Sequence, residues 1–110
     1  MAGASTLTIN EANYASEVTH SSVPVLLDFW APWCAPCRTI GPAIDQLADE
    51  YKGRAKVGKV DVDTSRELAL KFNVQSIPMV LVLKNGEVVS RAMGPRPKAE
   101  FAKMLDAALA

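Results

Sequence analysis

Positions 23 to 31 read VPVLLDFWA, nine residues that are apolar throughout except for Asp28. A run this short and this continuous predicts a strand covered on both faces, so the rest of the chain must supply the covering layers. Directly afterwards, Ile40, Ile44, Leu47, Ala48 and Tyr51 recur at helical spacing and predict an amphipathic helix. KVGKVDVD (56 to 63) predicts a second strand, and TSRE (64 to 67) a capping box that opens a short helix through Phe72. MVLVL (79 to 83) is joined to KNGEVVSRAM through Asn85-Gly86, the pair that a type I′ hairpin favours. Phe101, Met104, Leu105 and Ala108 share one face of a last helix. At the start, LTI (7 to 9) predicts a short strand leading from Asn10 into a helix with Tyr14 and Val18 on one side. The order β-α-β-α-β-α-β-β-α implies an α/β architecture, a central mixed five-stranded sheet flanked by four helices. The central strands are expected to run parallel and the last hairpin antiparallel.

No repeat, linker or low-complexity tract divides the 110 residues, so one domain is expected over 1–110. That length buries roughly two thirds of the unfolded surface without needing a covalent staple. Twelve basic and twelve acidic side chains cancel, which removes the electrostatic footprint of a nucleic-acid or anionic-membrane binder. MAGASTLTINEANYASEV has neither a basic start nor an apolar run of signal-peptide length, and no segment reaches the roughly 18 apolar residues of a membrane helix. The expectation is a soluble cytoplasmic protein, or the mature form of an organellar one.

The only two cysteines stand in WCAPC, two residues apart. As a structural clip they are poorly placed: closing about four residues contributes about 2 kcal/mol, against about 3 for a 15-residue loop. A structural zinc site needs four ligands of Cys or His type, and beyond the two thiols the chain offers only His20, so no metal is expected. A reversible redox pair explains the neighbours as well. Cys34 falls where the buried strand ends and the helix begins, so unpaired backbone N–H groups and the positive end of the helix dipole favour a thiolate there. Pro36 fits the first helical turn, where its missing N–H costs nothing. Asp28, alone in an apolar strand, is expected to be desolvated and its pKa raised, which suits proton transfer near neutral pH; an aspartate at a solvated bend is the alternative.

VLLDFWAPWCAPC, the lysine of GKVDVD, the SIP before MVLVLKNGE, and Gly94 at the hairpin's end together resemble the thioredoxin family over essentially the whole chain. The resemblance implies the thioredoxin fold and a general protein-disulfide reductase. Cys34 would be the exposed nucleophile and Cys37 the shielded resolving thiol, with Asp28 beneath them transferring a proton and Lys59 modulating Asp28. It also implies a cis bond before Pro78, and a substrate-binding rim of Trp33, Ala35, Pro36, Ile77, Pro78, Gly94 and Pro95, with Trp30 packing beside the site. No bound cofactor is implied beyond the redox-active disulfide itself. Electrons would come indirectly from NADPH through a flavoprotein reductase of the thioredoxin reductase kind, and the other partners would be disulfide-containing target proteins, met by a monomer. Three departures bear on target preference: Ala35 where glycine is usual, Met79 where threonine is frequent, and MGPRP after the hairpin. A disulfide oxidase or isomerase is the alternative within the fold, although those relatives usually carry histidine between the cysteines. A redox-independent binding scaffold is the alternative from another class.

Overall fold

The computed structural model describes residues 4–110 and sets Val25–Trp30, strand β2, in the middle of a five-stranded sheet. Met1–Gly3, where the N-terminal segment and the expected domain begin, lie outside the described residues. On one side of β2 are β3 (Lys56–Asp61) and then β1 (Leu7–Thr8); on the other are β4 (Met79–Lys84) and then β5 (Glu87–Met93). Every residue of β2 except Trp30 is buried, as its continuous apolar run requires.

The period of two then divides the core. Leu26 points with Val57, Val80 and Val82 toward helices α1 (Ala35–Glu50) and α3 (Lys98–Leu109), where Ile40, Ile44, Leu47, Phe101 and Leu105 meet them. Val25, Leu27 and Phe29 point the other way, with Val60, Leu81 and Leu83, onto Tyr14, Val18 and Leu68. The hairpin between β4 and β5 turns at Asn85 and Gly86, both at positive φ (55° and 80°), the conformation a type I′ turn demands.

The expected direction of the central strands needs one correction. β2 pairs with β3 in parallel, but with β4 antiparallel, so the sheet is already mixed at its centre. A parallel β4 would need a crossover running back along the full strand, about 20 Å for six residues. The helix between β3 and β4 is α2 (Arg66–Lys71), which at six residues is only about 9 Å long. The chain therefore re-enters the sheet at the end where β3 left it.

Two helix starts also differ from expectation. The segment after Asn10 forms turns and then a five-residue π-helix, Ala15–Thr19, closed by His20 N–H donating to the Ala15 carbonyl at 2.9 Å. Tyr14 and Val18 are both buried, so the expected face is kept. The capping box at TSRE does not form. Ser65 rather than Thr64 is the N-cap of α2, and no cap residue side chain bonds to the helix. The turn leaving β3 is the cause: Ser65 N–H donates to the Asp61 carbonyl (2.8 Å) and Asp63 N–H to Asp61 Oδ1 (2.9 Å), fixing Thr64 outside capping position. A remote carboxylate serves instead, Glu11 Oε2 accepting from Leu68 N–H at 3.3 Å. Among the described residues, no helix is long and apolar enough to cross a membrane.

A cap supplied by a distant residue couples the segment after β1 to α2. Glu11→Ala should lower the unfolding free energy by about 1 kcal/mol, the ordinary worth of a helix cap. It should appear as a lower urea midpoint at unchanged slope, whereas an unchanged midpoint would show that this contact contributes nothing.

Candidate functional site

Cys34 is the N-cap of α1, in extended conformation (φ −86°, ψ 105°), and its sulfur accepts the Cys37 N–H at 3.3 Å. The helix thus opens on a sulfur, with its unpaired N–H groups and dipole directed there. Pro36 occupies the first turn, where no donor is lost. The two Cα atoms are 5.3 Å apart and the sulfurs lie at disulfide-bonding distance. The expected contrast in exposure is small: Cys37 is 2% exposed and Cys34 only 5%. Cys34 is therefore not the exposed thiol that the family resemblance implies. The segment before β4 folds over it, bringing the Ile77 carbonyl oxygen to 3.9 Å from its sulfur, while Trp30, Val62 and Ile77 pack against the cysteine pair.

The Ile77-Pro78 bond is cis. Pro78 is buried, and its carbonyl accepts Gly94 N–H at 2.8 Å, which ties the end of β5 to the loop beside Cys34. Gly94 holds φ at +85°, a conformation in which a side chain is strained. Ile77 is thus brought to the cysteines, and Gly94 is hydrogen-bonded to Pro78 next to it, with Pro95 exposed immediately after. Trp33, Ala35 and Pro36 are exposed on the cysteine loop itself; the Trp33 indole, 67% exposed, donates to Asp63 Oδ2 at 2.8 Å. Met93, the first residue of MGPRP, is an exposed apolar residue paired with Met79 at the end of the hairpin. Sequence reasoning missed Asp63, which nothing in the sequence marked as the indole's partner.

Beneath the pair, Asp28 is 1% exposed, and neither carboxylate oxygen has a hydrogen-bond partner among the described residues. Its register partners are Lys59 on β3 and Val80 on β4, and it shares a cavity of about 410 Å³ with Cys37, Trp30, Asp45 and Lys59. Burial pushes its pKa from 3.8 up to about 7; Lys59 pulls it down and Asp45 pushes it up, each less than burial does. The solvated-bend alternative is thereby excluded. Lys59 does not bond to Asp28. Its ammonium pairs with Asp45 Oδ1 at 3.2 Å, and the same oxygen accepts from the Thr6 hydroxyl at 2.8 Å. Sequence reasoning missed Asp45 and Thr6, which lie 17 and 22 residues from Asp28 in the chain and meet only through the fold.

The family model that matches this chain is thioredoxin, over residues 5–107. The chain belongs to the thioredoxin family. It is 45% identical to the thioredoxin of Haemophilus influenzae over 91% of this chain and 94% of that one. It is 42% identical to thioredoxin C-2 of Corynebacterium nephridii, over 87% and 89%. It is 47% identical to the chloroplastic thioredoxin M5 of Oryza sativa subsp. japonica, over 88% of this chain and 56% of that one. It is a thiol–disulfide oxidoreductase acting as a disulfide reductant, and Cys34–Cys37 is its redox-active pair. The five-stranded mixed sheet with flanking helices is the thioredoxin fold.

Asp28 makes stability depend on pH in a direction opposite to the usual carboxylate. Its pKa is higher folded than unfolded, so between about pH 4 and 7 the folded state holds the extra proton and stability falls as pH rises. Above pH 7 the full cost of the buried charge is present, up to about 4 kcal/mol. Asp28→Asn in the oxidised protein should therefore raise stability most at pH 8 and little at pH 4. Denaturant titrations at both pH values check this; equal effects at the two would show that Asp28 does not titrate in this range.

Proposed function

We propose that this chain is a general protein-disulfide reductant in which Cys34 attacks, Cys37 resolves and Asp28 carries a proton for Cys37. The observation that carries the reading is the arrangement around α1's first turn. Cys34 Sγ receives a helix N-terminal N–H, and a carboxyl with no hydrogen-bond partner among the described residues shares a cavity with Cys37. The Cys34 thiolate attacks one sulfur of a target disulfide, forming a mixed disulfide and freeing one target thiolate. Cys37 gives its proton to the Asp28 carboxylate and attacks Cys34 Sγ. The Cys34–Cys37 disulfide forms and the second target thiolate leaves. Two electrons pass to the target; its thiolates take up protons, one returned through Asp28 and one from water. Lys59 modulates Asp28 by its charge. Trp33, Ala35, Pro36, Ile77, Pro78, Gly94 and Pro95 form the surface on which an extended target segment lies.

Turnover requires that another protein reduce the disulfide again, and an NADPH-dependent flavoprotein reductase fits that need, this chain having no Gly-rich phosphate loop of its own. The working form is a monomeric single domain, 1–110, in the cytoplasm or in an organelle. The reductant is preferred over an oxidase because Ala35 and Pro36 place no histidine between the cysteines.

Cys37→Ser should trap a mixed disulfide between Cys34 and a model protein disulfide, visible on a non-reducing gel and absent with Cys34→Ser. Asp28→Asn should slow reduction by on the order of ten- to a hundredfold and remove the rise in rate through about pH 7. A scaffold would keep its partners in a Cys34→Ser, Cys37→Ser double variant. A reductant loses its activity there.

A further inference from the structure

We propose that Asp45 is a positioning residue that holds the Lys59 ammonium away from Asp28, leaving that carboxyl free to exchange a proton. The inference rests on the role proposed for Asp28 and deepens it. Asp28 and Lys59 are register partners on adjacent parallel strands, so their side chains leave the same face of the sheet, and both line one cavity beneath α1. Left to themselves, a buried carboxylate and a neighbouring ammonium would pair, since each then offsets the other's desolvation. They do not pair. The Lys59 ammonium bonds to Asp45 Oδ1, which the Thr6 hydroxyl also holds, and neither oxygen of Asp28 has a hydrogen-bond partner among the described residues.

The other groups around Asp28 do not supply the missing charge. On α1, Cys37 is in the disulfide and Arg38 donates to the Pro32 carbonyl at 2.8 Å; from β3, Asp61 Oδ1 accepts Asp63 N–H; from β4, the facing residue is Val80. Among the described residues Lys59 is the cation whose charge acts on Asp28, and its ammonium rests on Asp45. Asp45 raises the proton affinity of Asp28 in two ways, through its own negative field and by keeping Lys59 at a distance. Only the second is positioning, and the two are separable.

The test is the titration of the Asp28 carboxyl, followed by carbon NMR in the oxidised protein, where the cysteines do not titrate. Asp45→Asn preserves the shape of a side chain only partly buried on α1, and Lys59→Met preserves the stem. Asp45→Asn alone should lower the Asp28 midpoint by about one pH unit or more, because Lys59 turns to it. In a Lys59→Met background the same change should move the midpoint by less than about a third of that, since no ammonium remains to be released. Equal shifts in both backgrounds would show that Asp45 acts by its own charge alone and would overturn the proposal, as would an unmoved midpoint in Asp45→Asn. The readout does not depend on catalysis. If the midpoints move as stated while Asp28→Asn leaves the pH–rate profile unchanged, Asp45 still positions Lys59 and the proton-carrier role of Asp28 fails on its own.

Discussion

A single carboxyl held inside the sheet-to-helix interface organises this molecule. β2 is covered on both faces, and its period of two sends Leu27 and Phe29 into one core cluster, so the side chain between them must enter the other. That side chain is Asp28. It emerges beneath the start of α1, in the same cavity as Cys37, without a hydrogen-bond partner among the described residues. A domain of this kind has a net stability of about 5–15 kcal/mol, so burying this charge above neutral pH consumes a large part of it. An aspartate retained there is a structural liability, and its place under the redox pair is the compensating fact.

The second organising feature is the start of α1. Both cysteines are nearly closed off, so accessibility separates them little. Their electrostatic surroundings separate them clearly. Cys34 stands at the N-terminus, where its sulfur accepts a backbone N–H, while Cys37 lies one turn in, over the cavity that holds Asp28. In the proposed cycle the first thiol must be ionised before it meets a target and the second only afterwards. A helix dipole is permanent, whereas a carboxyl titrating near neutrality accepts a proton when one is offered. In that cycle the dipole would hold the first thiol ionised and the carboxyl would take the proton of the second.

Much of this was legible in the sequence because it follows from local rules. The continuous run of β2, the helical recurrence from Ile40, the Asn85-Gly86 turn and the start of α1 at the cysteines each depend on neighbours within a few positions. What was not legible depends on where distant segments end. The direction of β4 was set by how far a six-residue helix can carry the chain, and the cap of α2 came from Glu11 rather than from TSRE. The burial of Cys34 required the loop at Ile77, 43 residues on, to fold over it. The pairing of Lys59 with Asp45 joins β3 to α1. The family resemblance put Lys59 near Asp28, its register partner on β2, but nothing in the sequence showed a competitor for its charge.

Two of the three departures from the commoner family pattern, Ala35 and Met79, fall on surfaces that Asp28 does not face. Ala35 is exposed at the first position of α1, outside the cavity. Met79 pairs in register with Phe29, the neighbour of Asp28 on β2, and so lies in the core cluster on the opposite side of the sheet. Neither adds nor removes a charge. Lys59, Asp45 and the desolvation of Asp28 therefore act on the buried carboxyl whichever residue stands at 35 or 79. Met79 does, however, pair with Met93, which is exposed at the hairpin's end beside Gly94. Variation at 79 or 93 can consequently change the sheet's other face and the exposed end of the hairpin while the surroundings of Asp28 stay fixed, because the period of two keeps those side chains on the face opposite Asp28.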